Sequence, residues 1–161
     1  MIRKAAKEDI SAIEAVFYDA ICWMEQNQVQ NLWTIANTRW NVLSKSYDIT
    51  NFFVSIVDNE VVGCMALTDA DMQYWPEIPK GSAIYLHKLA VIRKYSRAGV
   101  SDKLIQYAKK IAAENGIHTL RLDCCADRVK LRHFYEKHGF QYTGTITDVA
   151  GYELALYVCD T

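Results

Sequence analysis

The chain lacks most of the features that would assign it to a specialised class of protein. It contains only 2 prolines and 7 glycines among 161 residues, which excludes a Pro- or Gly-rich linker or low-complexity protein. No segment approaches the roughly 18 uncharged apolar residues that a membrane-spanning helix needs. Its 18 basic and 19 acidic residues give a formal net charge of −1, without the basic excess of nucleic-acid-binding proteins. We therefore expect a globular protein with neither a membrane nor a nucleic-acid partner.

Cysteine usage indicates a reducing compartment. The cysteines are odd in number and show no paired spacing of the kind that metal sites have. They are Cys22, Cys64, Cys124, Cys125 and Cys159. The N-terminus carries both basic and acidic residues before any apolar run, which argues against a signal peptide; they are Arg3, Lys4, Lys7, Glu8 and Asp9. We expect reduced thiols, no metal, a cytoplasmic location and a single domain over residues 1–161.

Hydrophobic periodicity predicts a mixture of helices and strands. One predicted helix begins at Glu8–Asp9. Three further helices are predicted to cover about Gln30 to Leu43, Gly99 to Glu114 and Asp127 to His138. The predicted strands are Ile2 to Lys4, a hairpin turning at Asp58–Asn59, Ile84 to Val91, Thr119 to Cys124, and two final strands around Asp148 to Gly151. This order predicts an α/β fold of the α+β type. A mixed, mainly antiparallel sheet of about seven strands would have helices on both faces and a central parallel strand pair.

The stretch from Ala83 to Phe140 is the most informative part of the chain. An apolar strand (AIYLHKLAV) leads through a basic turn with one glycine (RKYSRAGVS) into an amphipathic helix. The first N–H groups of that helix and the positive end of its dipole converge on one point. This arrangement predicts a site for an anionic group such as a pyrophosphate.

With LHKLAV, RAGVS and FYEKHGF at these spacings, the chain resembles the GNAT superfamily of acyl-CoA-dependent N-acetyltransferases. The resemblance covers nearly the whole chain and is strongest from Tyr85 to Phe140. It implies a GNAT fold whose central parallel strands splay apart to admit coenzyme A. It also implies transfer of an acetyl group from acetyl-CoA to a primary amine of a small molecule, by direct attack. A homodimer is compatible with this interpretation.

Two other functions stay open at this point. One is a CoA-binding sensor or partner module with weak catalysis, and the other is acetylation of a protein or peptide. Superfamily members often place a carboxylate at the position of Tyr85, and its loss here favours the first alternative. The retained Tyr135 argues against it.

The resemblance implies that the pyrophosphate binds at the loop Ser96–Ser101. The superfamily pattern is Gln/Arg-x-x-Gly-x-Gly/Ala, and only Gly99 matches it. Such loops bind mostly through backbone N–H groups, so departures in side chains are tolerable. Hydroxyl groups and the charge of Arg97 would add contacts to phosphate. The predicted cofactor-binding residues are Leu89, Ala90 and Val91 of the strand, Ser96, Arg97, Ala98, Gly99, Val100 and Ser101 of the loop, and Arg128.

Two residues are predicted to be catalytic. Tyr135 occupies the position where the superfamily often has a general acid, and a phenol with pKa near ~10 suits protonation of a departing thiolate. His87, with an unperturbed pKa of about 6.5, is the predicted base. It would act directly or through an ordered water held together with Tyr85. A carboxylate in the loop from Asp69 to Glu77 is the alternative base.

The acceptor pocket is predicted to have aromatic walls. Aromatic rings attract a cationic amine through cation–π interactions. Tyr85 and one of the two tryptophans Trp33 and Trp40 are assigned to this pocket.

Overall fold

The computed structural model describes all 161 residues and contains seven strands and four α-helices. The strands are β1 (Ile2–Lys4), β2 (Phe52–Val57), β3 (Glu60–Thr68), β4 (Ile84–Val91), β5 (Thr119–Cys125), β6 (Gln141–Thr147) and β7 (Glu153–Asp160). The helices are α1 (Ile10–Gln26), α2 (Trp40–Leu43), α3 (Val100–Glu114) and α4 (Val129–Lys137). None of these helices has both the length and the apolar character required to cross a membrane.

The strands form a single mixed sheet in the order β1-β2-β3-β4-β5-β7-β6. β4 and β5 are parallel, whereas the pairs β1–β2, β2–β3, β5–β7 and β6–β7 are antiparallel. The predicted fold class is therefore confirmed. The predicted hairpin turn is also present: Asp58 and Asn59 have φ angles of 49° and 63°. Two consecutive positive φ angles are typical of the type I′ turn that joins tightly paired strands.

The chain divides into two compact units. Unit 1 comprises Met1–Leu67 and Lys88–Tyr107, and unit 2 comprises Thr68–His87 and Ala108–Thr161. The division falls within β4, so the first four residues of that strand belong to unit 2 and the last four to unit 1.

In unit 1, helices cover both faces of the strands. The apolar stripe of α1, including Phe17, packs with Phe52 and Val54 of β2 in one core cluster. The opposite face of β2 presents Phe53, whose ring centroid lies 5.6 Å from that of Tyr107 in α3. Adjacent strand residues point to opposite faces, so α1 and the first part of α3 lie on different sides of β2.

Gly63 of β3 lies where the backbone of unit 1 is crowded. A Cβ atom at this position would be 3.1 Å from the carbonyl oxygen of Ala90 and 3.1 Å from a methyl carbon of Val100. The absence of a side chain therefore lets β3 approach both the end of β4 and the start of α3.

The prediction of a helix from Gln30 to Leu43 is wrong except for its last turn, α2. Polar side chains bind the backbone of this segment and compete with helical hydrogen bonds. The Asn37 Oδ1 accepts from the Thr34 N–H at 2.8 Å, and the Asn37 N–H donates to the Thr34 hydroxyl at 3.0 Å. The Asn37 amide also donates to the carbonyl of Leu32 at 3.0 Å. These reciprocal bonds hold a turn where hydrophobic spacing alone predicts a helix.

In unit 2, β5 and β7 pair along the whole length of β5. One face is covered by α4, where the Tyr135 ring centroid lies 6.5 Å from that of Tyr157 on β7. The other face carries a small apolar cluster of Trp75, Ala83 and Tyr85, with Leu156 packed against it. The loop between β3 and β4 therefore covers the face opposite to α4.

Candidate active site

β4 departs from a regular strand near its middle. It pairs with β5 at Ile84 and Tyr85, and the pairing ends there although both strands continue. Lys88 has a φ angle of +56°, in the left-handed region that residues other than glycine seldom adopt. A change of backbone direction of this kind ends regular pairing, as bulges do. Regular pairing of β4 with its parallel neighbour β5 is thus confined to Ile84 and Tyr85.

The second half of β4 leads into the predicted cofactor loop of unit 1. Ser96, Arg97 and Ala98 are exposed, and the Ala98 N–H closes a turn onto the carbonyl of Tyr95 at 3.0 Å. Gly99 follows with a φ angle of +71°, and α3 begins at the next residue. A Cβ atom on Gly99 would meet nothing closer than Asp102 Oδ2 at 3.9 Å, so the space beside this backbone is open. The first N–H groups of α3 have no partners inside the helix, and they border that open space.

Three side chains of unit 2 from separate parts of the chain form what we term the acid–histidine cluster. They are Asp71 of the β3–β4 loop, His87 of β4 and Asp123 of β5. One oxygen or ring nitrogen from each lies within 4.8 Å of the others. Asp71 is only 9% exposed, and its Oδ1 accepts from the N–H groups of Gln73 and Tyr74, both at 3.0 Å. These bonds hold the Asp71 carboxylate in place.

The histidine of this cluster is also held by a neighbour. Its Nε2 lies 3.2 Å from the hydroxyl of Thr68 at the end of β3. Its ring is stacked parallel to that of Tyr85, two residues earlier on the same face, with centroids 6.4 Å apart. His87 is therefore a half-buried base candidate with a fixed orientation and two carboxylates beside it.

Tyr85 is fully buried, and its hydroxyl has no hydrogen-bond partner in the chain. Burial raises the pKa of Tyr85, the positive charge of Arg121 opposes this rise, and the charge of Asp71 adds to it. The Tyr85 hydroxyl is therefore close enough to both Arg121 and Asp71 for each charge to affect its pKa. The Arg121 Nε–H is likewise buried without a partner. Trp75 contacts both groups: its ring centroid is 5.4 Å from the Tyr85 centroid and 5.9 Å from the Arg121 guanidinium carbon.

Tyr135 lies on α4 and is 7% exposed. Burial raises its pKa well above the ordinary value of a phenol, and the neighbouring Cys124 adds to the rise. Cys124 and Asp123 are adjacent on β5 and point to opposite faces of the strand. Tyr135 therefore lies on one face of β5, and the acid–histidine cluster lies on the other.

The neighbouring thiols are poor nucleophiles. Burial raises the pKa of Cys124 to about 12 and also raises that of Cys125, where the charge of Arg128 opposes the rise. Only the thiolate attacks a thioester efficiently, and at neutral pH these groups remain thiols. Neither Cys124 nor Cys125 is therefore suited to carry a cysteine-bound acyl intermediate.

Comparison with known proteins assigns the family. A model of the Acetyltransferase (GNAT) family matches residues 14–140. The chain belongs to the GNAT family. It is 29% identical, over 93% of its length and 85% of the relative's, to the uncharacterized N-acetyltransferase YesJ of Bacillus subtilis (strain 168). This protein is therefore an acetyltransferase.

Solved GNAT structures have the same fold. A GNAT acetyltransferase from Listeria monocytogenes 4b F2365 superimposes with a TM-score of 0.75 at 22% identity, covering 100% of this chain and 94% of the other. The PaiA N-acetyltransferase of Thermoplasma acidophilum, solved with coenzyme A, gives a TM-score of 0.76 at 17% identity, covering 100% and 98%. At these identities the likeness concerns the fold.

The structure of this GNAT protein distributes the predicted site residues over both units. Unit 1 contains Leu89, Ala90, Val91 and the loop Ser96–Ser101, whereas unit 2 contains Tyr85, His87, Arg128 and Tyr135. Arg128 is half-buried and immediately precedes α4. Their contacts with cofactor or acceptor stay predictions.

The two predicted acceptor tryptophans both pack against the core of unit 1. Trp40 lies edge-on to Phe52, with centroids 5.9 Å apart. Trp33 lies edge-on to Phe17 at 5.2 Å, and the Lys88 ammonium lies 5.7 Å from its ring. Of the two, Trp33 is the one that contacts β4.

Arg121 and Asp123 were not among the predicted site residues, and Asp71 was included only in the loop that offered an alternative base. A signal for the first two was present in the sequence RLDCC. Charged residues are uncommon inside strands, and two of them at alternate positions share one face. Asp71 gave no comparable signal, since it is one of several acidic residues in a loop.

Proposed function

We propose that this acetyltransferase transfers the acetyl group of acetyl-CoA to the primary amine of a small molecule. The observation that carries the proposal is the placement of the acid–histidine cluster and Tyr135 on opposite faces of β5. A proton acceptor for the attacking amine and a proton donor for the departing thiolate are thereby separated by a strand.

The reaction consists of three proton transfers around one acyl transfer. The acceptor binds as an ammonium ion and gives a proton to the imidazole of His87, directly or through water. The neutral amine then attacks the thioester carbonyl, and a C–N bond forms. Collapse of the tetrahedral intermediate breaks the C–S bond and releases the coenzyme A thiolate, and the positively charged nitrogen loses its second proton to solvent. That thiolate takes up a proton at Tyr135, and the tyrosinate and imidazolium exchange protons with solvent.

The raised pKa of Tyr135 shapes its proposed role. The phenol stays protonated at neutral pH and is therefore always available as a donor. The thiol of coenzyme A is more acidic than this phenol, so complete transfer of the proton from Tyr135 to the thiolate is uphill. Much of the effect of Tyr135 would therefore come from a hydrogen bond to the developing negative charge on sulfur. Preorganised donors of this kind contribute substantially to catalysis.

The cofactor proposal rests on the family and on the start of α3. The loop before this helix presents backbone N–H groups beside open space, which suits a pyrophosphate. Five cysteines without a disulfide agree with a reducing compartment, and we propose a cytoplasmic location.

A thiol-release assay with acetyl-CoA tests this function. The acceptors are amines, amino acids, aminoglycosides and peptides, and each reaction is repeated with the variant Tyr135→Phe. We expect coenzyme A release that requires a small-molecule amine, with the acetylated amine found by mass spectrometry. Turnover confined to peptides would contradict the small-molecule proposal, and acetyl-CoA binding without turnover of any amine would indicate a sensor.

A further inference from the structure

Two buried hydrogen-bond donors of unit 2 have no acceptor. They are the hydroxyl of Tyr85 and the Nε–H of Arg121. These residues are register partners where β4 and β5 still pair, so their Cα atoms are directly opposite. A buried polar group without a partner destabilises a protein, and few such groups persist in native structures. Two on neighbouring strands, one of them on a cation, indicate an absent anionic acceptor such as a carboxylate.

Tyr85 also links this pair of donors to the acid–histidine cluster. Its ring stacks on that of His87, and its phenol is influenced electrostatically by Asp71 as well as by Arg121. Along one face, unit 2 therefore presents a cationic donor, a neutral donor and then a group of acceptors. A ligand that satisfies all of them has a negative and a positive group close together.

The spacing of the acid–histidine cluster suits an ammonium ion. Three tetrahedral N–H bonds of about 2.9 Å place their acceptors about 4.7 Å apart. The donor atoms of Asp71, His87 and Asp123 lie within 4.8 Å of one another. Zinc bound at about 2.0–2.2 Å would require these atoms to lie roughly 3.3–3.6 Å apart. The limit of 4.8 Å therefore accommodates an ammonium ion, and zinc binding is the alternative that the experiment must separate from it.

We propose that the acceptor is an α-amino acid. Its carboxylate binds Arg121 and the Tyr85 hydroxyl, and its ammonium group binds Asp71, His87 and Asp123. This inference rests on the proposed function, because the ammonium group held by the cluster is the one that His87 deprotonates before acetyl transfer. The apolar rings of Tyr74 and Trp75 adjoin this face and would contact the amino-acid side chain.

Trp75 lies beside the residues of both unpartnered donors, so a carboxylate bound there would change the surroundings of its ring. Its ring contacts Tyr85 and Arg121 and is itself only 4% exposed. Binding of an amino acid should therefore change the fluorescence of Trp75. This signal does not depend on turnover.

The decisive experiment compares an amino acid with its amide. L-Phenylalanine and L-phenylalaninamide have nearly the same size, but the amide lacks the negative charge and its amine is more readily deprotonated. Thiol release with acetyl-CoA is measured for both compounds, and also for leucine with its amide and for methionine with its amide. We expect kcat/KM to be about 10–100-fold higher for the acid in at least one pair, as for a charged hydrogen-bonding group.

Variants locate the source of that preference. Arg121→Gln and Tyr85→Phe should each move the acid-to-amide ratio towards one, and Arg121→Lys should restore part of it. Lys80→Gln is the matched control, because it removes an exposed cation of the same unit and should leave the ratio unchanged. With coenzyme A present, the amino acid should change the tryptophan fluorescence of the original protein and not that of Trp75→Phe.

The outcomes that overturn the inference differ from those that overturn the proposed function. Equal or faster turnover of the amides, or of amines without a carboxylate, removes the amino-acid assignment and leaves an N-acetyltransferase. Stoichiometric Zn²⁺ binding that Asp123→Asn abolishes would replace the ammonium site with a metal site. Absence of turnover with every amine and amino acid would remove both proposals.

Discussion

The cofactor loop and the acid–histidine cluster differ in which part of the chain supplies their chemistry. Ser96, Arg97 and Ala98 in the loop Ser96–Ser101 are exposed, and the useful groups of this loop are the N–H groups at the start of α3. In the cluster, the useful groups are side chains held by neighbours, such as Asp71 by two backbone N–H groups. Backbone groups tolerate a change of residue type, whereas a side-chain cluster does not. Substitutions should therefore have small effects in the loop and large effects in the cluster.

The largest effect is expected for His87→Ala. If His87 accepts the proton of the amine, kcat/KM should fall by about 10²–10⁴. The original enzyme should also become faster with rising pH as His87 loses its proton, and this dependence should disappear in the variant. Steady-state rates between pH 5 and 10 test both points.

Thr68→Val provides a control for the position of the His87 ring. It removes the hydroxyl 3.2 Å from Nε2 but keeps the base. We expect roughly a tenfold loss with the pH dependence retained, as for a lost neutral hydrogen bond. An unchanged pH dependence in His87→Ala would assign proton acceptance to Asp71 or Asp123 instead.

Tyr135→Phe should lower kcat by about 10²–10³ with little change in the KM for acetyl-CoA. Because burial raises the Tyr135 pKa, the phenol is protonated below that pKa and loses its proton only as the pH rises through it. The activity that depends on it should thus persist beyond pH 10, where an ordinary tyrosine ionises. Equal losses in binding and rate would show that Tyr135 is a packing residue.

Gly99→Ala tests the backbone of the loop itself. The residue has a φ angle of +71°, which costs a non-glycine residue about 1–2 kcal/mol, and a methyl group would extend into the open space beside it. We expect the Kd for acetyl-CoA to rise about tenfold, with a modest loss of stability. Isothermal titration measures the first and thermal unfolding the second. An unchanged Kd would place the pyrophosphate elsewhere.

The smallest effects are expected for Ser96→Ala and Ser101→Ala. If backbone N–H groups supply most of the binding, each variant should change the Kd for acetyl-CoA by less than about threefold, below the average value of a hydrogen bond. A tenfold rise in the Kd for acetyl-CoA on removal of either hydroxyl would contradict the contrast between the loop and the cluster.

The same contrast explains how much could be predicted from the sequence. The strand–turn–helix order around Gly99 is local, so the fold class and the cofactor segment followed from hydrophobic periodicity and a resemblance. The acid–histidine cluster joins Asp71, His87 and Asp123, which are separated in sequence and meet only in the folded sheet. The failed helix prediction at Gln30 to Leu43 has a different cause. Side chains such as Asn37 bind the nearby backbone, and hydrophobic spacing does not report such bonds.

Gly63 is a position in unit 1 at which a substitution could change the affinity for coenzyme A indirectly. A methyl group there would press on the carbonyl of Ala90 and the side chain of Val100, both of which are predicted cofactor-binding residues. A mutation at this position would therefore alter coenzyme affinity by displacing residues that are predicted to bind the coenzyme, while leaving their identity unchanged. Directed evolution for a larger or smaller acyl donor should therefore include position 63 of β3, because one substitution there can shift both Ala90 and Val100.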